Sequence, residues 1–100
     1  MQSELQFTIE PDHPSLPGHF PGRPIVPGVV VLDQALALLL RDRPGRCVAV
    51  LREVKFLSPV IPGEAVTIEI VEMLPDRLAF IGKAEKRPVL RGRVELDVTA

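Results

Sequence analysis

The chain has 100 residues, of which 46% are hydrophobic, and its 12 basic and 13 acidic side chains leave a net charge of −1. This length predicts one domain, residues 1–100, with a core of only moderate stability that dimerisation would strengthen. The near-neutral charge argues against a nucleic-acid partner, because nucleic-acid-binding domains are usually strongly basic. The single cysteine, Cys47, excludes an internal disulfide and, without a Cys or His cluster, argues against a structural zinc site.

The amino-terminal segment carries neither a basic stretch nor a long apolar run, so no targeting peptide is expected. The apolar stretch at residues 29–40 is too short and too interrupted to span a bilayer. The sequence therefore predicts a cytoplasmic location and no membrane partner. Because it also lacks a glycine-rich phosphate loop and a cluster of metal ligands, no cofactor and no metal are expected.

A short strand and a proline-rich loop begin the chain. Residues 5–9 alternate apolar and polar side chains, which is typical of a half-buried strand. Between Pro11 and Pro27 the chain has six prolines and two glycines, and each proline fixes φ and removes a hydrogen-bond donor. This composition predicts a stiff, ordered loop without regular secondary structure.

The next element is a helix that is apolar at every position from 29 to 40 except two, one of which is Asp33. It is expected to begin near Pro27 or Gly28 and to end at residues 41–43, where arginines complement the helix dipole. A helix that is apolar on all sides is expected to be buried all round. Asp33 must then be hydrogen-bonded, kept uncharged or facing a cavity, because an unpartnered buried carboxylate is costly.

Four further strands are predicted from alternating apolar and polar side chains, separated by turns that contain proline or glycine. They cover residues 47–56, 65–73, 78–85 and 89–98. Consecutive strands with short connections pair antiparallel. The sequence thus predicts an α+β fold in which a sheet of about five strands curls around one central helix.

Three residues around the helix start have the chemistry for proton abstraction next to a carbonyl group. His19 lies in the proline-rich loop, and Asp33 follows Gly28 by about 7.5 Å of helical rise. The helix start lacks a capping side chain, so its first N–H groups are free to bind a ligand oxygen. Gly28 would let a carbonyl approach the backbone closely. A histidine base, an uncharged carboxyl group and free amides suit this reaction.

Each of these features also has a purely structural explanation. A lone histidine in a loop is more often structural than catalytic. An Asp in the first turns of a helix often does no more than complement the dipole. The prolines and Gly28 could serve only to shape the helix start, and His13 and Cys47 are interpreted as structural residues.

The segment HFPGRPIVPGVVVLD, residues 19–33, resembles the active-site motif of the 3-hydroxyacyl-acyl-carrier-protein dehydratases of the FabA/FabZ type. The later segment KFLSPVIPGEAVTIEI, residues 55–70, is similar to the Pro-Gly turn and following strand of that family. Together the two segments cover about a third of the chain. The resemblance implies the hotdog fold, in which a strongly bent antiparallel sheet wraps one long central helix, usually in a homodimer.

The resemblance implies a role for each motif residue. His19 falls on the catalytic histidine, Asp33 on the catalytic carboxylate, and Gly28 on the glycine whose N–H binds the thioester carbonyl. The implied reaction converts a 3-hydroxyacyl thioester to a trans-2-enoyl thioester in fatty-acid, polyene or polyketide biosynthesis. Three flanking residues are expected to contact the substrate, namely Phe20, Pro27 and Val29.

The resemblance also implies two kinds of partner. One is a second copy of the chain, in a homodimer or an assembly of dimers, with His19 of one copy facing Asp33 of the other. The other is an acyl carrier protein that delivers the 3-hydroxyacyl chain. Because carrier proteins are generally acidic, docking is expected on basic side chains near the site. The candidates are Arg23, Lys83, Lys86 and Arg87.

Two residues depart from the FabZ pattern. Asp33 stands where the FabZ branch has Glu, as in the FabA branch that also isomerises the double bond, and Ala37 stands where FabZ has Gln. Isomerisation and acyl-chain length are therefore left open. Two alternatives to dehydration also remain, a hotdog acyl thioesterase and a non-catalytic acyl-binding module. The position of His19 argues against the thioesterase, because hydrolysis needs no base for an α-proton there.

Overall fold

The computed structural model describes residues 2–10 and 25–99. Within these ranges the chain forms five strands and one helix. Their bounds are β1 Gln2–Thr8, α1 Gly28–Arg41, β2 Arg46–Phe56, β3 Ala65–Leu74, β4 Arg77–Ala84 and β5 Arg87–Val98. The α+β architecture expected from the sequence is confirmed, and the predicted bounds agree with those observed to within three residues.

The five strands pair antiparallel in one sheet, in the order β1-β3-β4-β5-β2. Register shifts within the β2–β5, β3–β4 and β4–β5 pairs mark bulges or irregularities, which locally bend and twist a sheet. β2 pairs with β5 and not with β3, so the expectation that consecutive strands pair is wrong here. The reason is the connection at residues 57–64, which is too long and too proline-rich for a tight hairpin.

The helix lies on one face of the sheet and buries one side of itself there. Val31, Ala35 and Leu39 recur every four residues and are only 1–3% exposed. Their spacing places them on the same helix face. They share a core with strand residues, including Ile68, Ile70, Leu78, Phe80, Leu90 and Val94.

The opposite side of the helix is uncovered in the single chain. Val29, Asp33 and Ala37, which we call the outward stripe, are spaced four residues apart and all are exposed, Val29 by 70%. Their apolar neighbours Val30 and Leu36 are half-buried. The chain by itself therefore does not bury the helix all round.

Basic residues end the helix as the sequence predicts. The Arg43 side chain donates a hydrogen bond from Nη1 to the Leu39 carbonyl oxygen at 2.9 Å. The Arg43 backbone N–H donates to the Leu40 carbonyl oxygen, also at 2.9 Å. Two carbonyl groups that the helix itself leaves unpaired are thereby satisfied.

The loop at residues 57–64 is attached to three other parts of the fold. At its two ends, backbone hydrogen bonds join it to β5 and to the residue that follows β1. In its middle, the Val26 N–H donates to the Val60 carbonyl oxygen at 2.8 Å, and the two residues form an antiparallel bridge. Because Val26 lies two residues before α1, this bridge ties the loop to the helix start.

An ion pair braces the same loop from β5. Arg87 Nη2 lies 2.9 Å from Glu64 Oε1 and also donates to the Pro59 carbonyl oxygen at 2.9 Å. The same Glu64 oxygen accepts a hydrogen bond from the Ile61 N–H at 3.1 Å. The hydrogen bond from Arg87 holds the pKa of Glu64 below its ordinary value, against the opposing effect of desolvation.

Replacing Leu39 by Ala is expected to lower the free energy of unfolding by about 2–5 kcal/mol, because it leaves a cavity in the core. Arg41→Ala, on the exposed side of the same helix, is the control and should cost less than about 1 kcal/mol. Urea unfolding followed by circular dichroism measures both. Equal losses in the two variants would contradict the assignment of the buried helix face.

Glu64→Gln is expected to lower Tm at pH 7 but to make little difference in acid. A carboxylate with a lowered pKa stabilises the folded state above its unfolded pKa, about 4.3, and the stabilisation is lost as pH falls through the folded value. The gap in Tm between wild type and variant should therefore shrink below a pH of about 4.3. Thermal unfolding at a series of pH values measures it.

Glu72→Gln is the matched control for this series, because Glu72 is exposed and has no ion pair among the described residues. Its Tm should follow that of the wild type at every pH. A Tm gap for Glu64→Gln that stays constant in acid would show that the ion pair with Arg87 does not stabilise the loop.

Candidate active site

The helix α1 begins at Gly28 without a side-chain cap. Pro27 occupies the N-cap position and makes no side-chain hydrogen bond to the first turn. Its carbonyl oxygen accepts hydrogen bonds from the N–H groups of Val30 and Val31, at 3.0 and 3.3 Å. Within the described part of the chain, the N–H groups of Gly28 and Val29 have no partner. Two donors at the positive end of the helix dipole are thus available to a ligand oxygen.

Gly28 packs against an aromatic ring from a distant part of the sequence. Phe56 is the last residue of β2, and a Cβ atom added to Gly28 would lie 3.0 Å from its ring atoms Cδ1 and Cε1. A contact this short would require the ring to shift by a few tenths of an ångström, so the observed packing favours glycine. Phe56 is nevertheless 52% exposed, since the ring is covered on the Gly28 side and open elsewhere.

Asp33 lies in the middle of the outward stripe. Its side chain is exposed in the single chain and makes no hydrogen bond or ion pair with another described residue. Its neighbours one turn away on the helix include Val29, Val30 and Leu36, which are all apolar. The chain alone therefore does not bury Asp33, whose side chain lies on an apolar helix face that is exposed in the single chain.

A cavity of about 290 Å³ adjoins the helix start. Gly28 and Val31 line it from α1, Phe56 from β2 and residues 57–60 from the loop. Its walls are mostly apolar, which suits the hydrocarbon part of a ligand. Three larger grooves, of about 410, 430 and 500 Å³, are lined by none of the described residues of the first motif, residues 19–33. The smaller cavity is therefore the one that adjoins the candidate site, at Gly28, although Asp33 does not line it.

Four of the six predicted site residues lie together at the start of α1, and they are Pro27, Gly28, Val29 and Asp33. The other two, His19 and Phe20, lie outside the described residues. The described part of the site therefore consists of the amide donors and the carboxylate, spread over the first two helical turns.

Two of the expected docking residues are engaged in ion pairs. Lys83 Nζ lies 2.9 Å from Glu69 Oε2, and Arg87 is paired with Glu64. Arg23 lies outside the described residues. Lys86 is exposed in the turn between β4 and β5 and has no ion pair among the residues that the structure describes.

Phe56 and residues 57–60 were not among the predicted site residues. They lie in the second segment, residues 55–70, which is similar to a turn and strand of the dehydratase family and from which only the fold was predicted. A signal was nevertheless present, because two separated segments that match one family motif are expected to meet in space. The structure brings them together at Gly28.

Across residues 2–10 and 25–99, no three His, Cys, Asp or Glu side chains come together in a group that could hold a metal ion. Both histidines, His13 and His19, lie outside these ranges. In the same part of the chain, no helix has the length and apolar character needed to cross a membrane.

Sequence comparison relates the chain to dehydratases. A family model described as ApeI-like, ApeI dehydratase, matches residues 1–96. The 3-hydroxyacyl-[acyl-carrier-protein] dehydratase FabZ of Herpetosiphon aurantiacus is 32% identical over 91 residues, which cover 83% of this chain and 63% of that protein. FabZ of Chlamydia trachomatis serovar L2 is 35% identical over 74 residues, covering 64% and 48%. The chain thus spans about half to two thirds of the length of these relatives.

Solved structures share the fold. The dehydratase heterocomplex ApeI:P from Xenorhabdus doucetiae aligns with a TM-score of 0.80 at 25% identity, covering 95% of this chain and 86% of that one. The (R)-hydratase from A. caviae involved in PHA biosynthesis aligns with a TM-score of 0.75 at 18% identity, covering 99% and 95%. These hotdog-fold neighbours confirm the hotdog architecture, and the match over residues 1–96 shows that the chain belongs to the ApeI-like dehydratase family.

Proposed function

We propose that the protein dehydrates 3-hydroxyacyl thioesters to trans-2-enoyl thioesters. The observation that carries the proposal is the start of α1, where the N–H groups of Gly28 and Val29 have no partner in the described part of the chain and Asp33 follows within the next two turns. Family membership supports the same reaction. This elimination requires amide donors that bind the thioester carbonyl. It also requires a carboxyl group, in apolar surroundings, that protonates the leaving hydroxyl.

In the proposed mechanism the thioester carbonyl accepts a hydrogen bond from the Gly28 N–H, and the helix dipole stabilises the negative charge that develops on its oxygen. His19 removes a proton from carbon 2. The electron pair forms the double bond between carbons 2 and 3, and the bond from carbon 3 to oxygen breaks. Asp33 supplies the proton with which the hydroxyl group leaves as water. His19 then loses its extra proton to solvent and Asp33 regains a proton from solvent, which restores both groups.

We propose that a second chain completes the site. The outward stripe supports this, because Asp33 and its apolar neighbours Val29 and Ala37 are uncovered in the single chain. A two-fold dimer would cover this face and present His19 of one copy to Asp33 of the other. The X. doucetiae relative is a heterocomplex, so a second, different chain is the alternative to self-association.

We further propose that the acyl group arrives on an acyl carrier protein, since the FabZ relatives are named for such a substrate. An acidic carrier would be attracted by exposed cations on the rim of the site. Of the described candidates, Lys86 has no ion pair among the described residues, whereas Lys83 and Arg87 are already paired with carboxylates. Arg23 stays a candidate from the sequence.

Incubation of the purified protein with a synthetic 3-hydroxyacyl thioester tests the proposed reaction. We expect an enoyl thioester, detected by mass spectrometry, and no release of free thiol. Free thiol would indicate a thioesterase instead. Neither product would indicate a non-catalytic acyl-binding module.

Asp33→Asn should lower kcat by about 10²–10⁴-fold, because the amide cannot donate the proton that the leaving hydroxyl requires. Asp42→Asn is the matched control, since Asp42 lies just after the helix and away from the outward stripe. It should retain the wild-type kcat. Steady-state kinetics with the same thioester measures both variants, and a wild-type rate for Asp33→Asn would exclude its catalytic role.

Two inactive variants, His19→Ala and Asp33→Asn, should rescue each other when they are refolded together. A mixed dimer would contain one site with both lesions and one intact site. Random pairing makes half of the dimers mixed, so activity should recover to about a quarter of the wild-type value. Native mass spectrometry would verify the mixed dimers. If these form and stay inactive, His19 and Asp33 act within one chain and the shared site is wrong.

A further inference from the structure

The ring of Phe56 occupies a position that the proposed mechanism does not use. It lies against Gly28, with Cδ1 and Cε1 at 3.0 Å and Cγ at 3.3 Å from where a Cβ would stand. It also lines the cavity beside the helix start. The ring therefore contacts Gly28 and forms part of the wall of the cavity that Gly28 also lines.

The backbone that carries this ring is held on the sheet. Phe56 pairs with Leu90 of β5 at the end of the β2–β5 ladder. The next residue, Leu57, donates its N–H to the Val89 carbonyl oxygen at 2.8 Å. Backbone hydrogen bonds to β5 therefore fix the position of the Phe56 Cα. The strand pairing, and not a loop, holds the ring next to Gly28.

We propose that Phe56 is a specificity-determining residue that excludes substituents on carbon 2 of the acyl group. The inference rests on the proposed function, which places the thioester carbonyl at the Gly28 N–H. With the carbonyl there, carbon 2 is the next atom of the acyl chain and lies beside the ring. A linear 3-hydroxyacyl group passes the ring, whereas a methyl group on carbon 2 competes with it for the same space.

The expected size of the effect follows from the cost of misplacing one methyl group in an apolar pocket. Such differences change kcat/KM by about 10- to 200-fold. If Phe56 has only a structural role, its removal would loosen the helix start and lower kcat/KM for linear and branched substrates equally. The ratio of the two substrates therefore separates the two roles, while the absolute rates do not.

The test compares a 3-hydroxyhexanoyl thioester with its 2-methyl counterpart in the wild type, Phe56→Leu and Phe56→Ala. The preference of the wild type for the linear substrate, as a ratio of kcat/KM values, should fall by about 10-fold or more in Phe56→Ala. Phe56→Leu keeps an apolar side chain at this position and should give an intermediate ratio. Circular dichroism and Tm show that each variant is folded.

Leu51→Ala is the matched control. Leu51 lies on the same strand as Phe56 and is 41% exposed, but it does not line the cavity and is not among the atoms nearest to Gly28. It should leave the ratio unchanged. A ratio that moves equally in Leu51→Ala and Phe56→Ala would overturn the proposal, and so would a ratio that none of the variants changes.

A binding experiment separates failure of this inference from failure of the proposed function. Ketone analogues, in which a methylene group replaces the thioester sulfur, keep the carbonyl but release no thiol. Isothermal titration calorimetry gives their Kd in linear and 2-methyl form. If the wild type does not dehydrate but Phe56→Ala gains affinity for the 2-methyl ketone, the proposed function fails and the inference stands. If the wild type dehydrates and the Kd ratio is the same in every variant, the inference fails alone. If no variant binds either ketone, the inference fails, and the dehydration assay alone decides the proposed function.

Discussion

The bridge between Val26 and Val60 is the contact on which the candidate site depends. Both residues are buried, and their hydrogen bond joins the segment just before α1 to the loop that connects β2 and β3. The cavity beside Gly28 exists because the loop passes there. Loss of this bridge would release both the start of α1 and the loop that forms the cavity wall. The fold and the candidate site therefore depend on the same contact.

Gly28 has a packing role in the fold and a chemical role in the proposed mechanism. A Cβ atom at this position would lie 3.0 Å from the ring of Phe56, which is a structural reason for glycine. The same residue carries an N–H group without a partner in the described part of the chain, which is the donor in the proposed mechanism. A side chain at residue 28 would therefore disturb the ring and the donor at once, and its effect on activity could not be assigned to either alone.

The outward stripe is a surface that the single chain leaves uncovered. A carboxyl group can act as an acid only where it is held uncharged, and exposure to water favours the charged form. Asp33 is exposed when the chain is alone, although its neighbours on the helix are apolar. In the proposed dimer, a second chain would exclude water from this stripe, so that assembly and acid catalysis would be coupled through the same surface.

The sequence by itself determined the elements and most of the candidate chemistry. The alternation of apolar and polar side chains predicted the strands. The proline-rich segment before the helix and the Pro-Gly pair after it predicted where the helix begins and ends. These signals are readable in the sequence because they act over a few neighbouring residues. The described site residues Gly28 and Asp33 were recognised for the same reason, since one continuous motif contains them.

Three features were decided only by the tertiary structure. The placement of β2 beside β5 depends on where an eight-residue connection can run, and no local pattern encodes that path. The contact of Phe56 with Gly28 joins positions that are 28 residues apart. The sequence also did not predict which face of α1 is buried, because a helix that is apolar all round has no single apolar stripe. In the structure Val31, Ala35 and Leu39 pack on the sheet, and Asp33 lies on the exposed side.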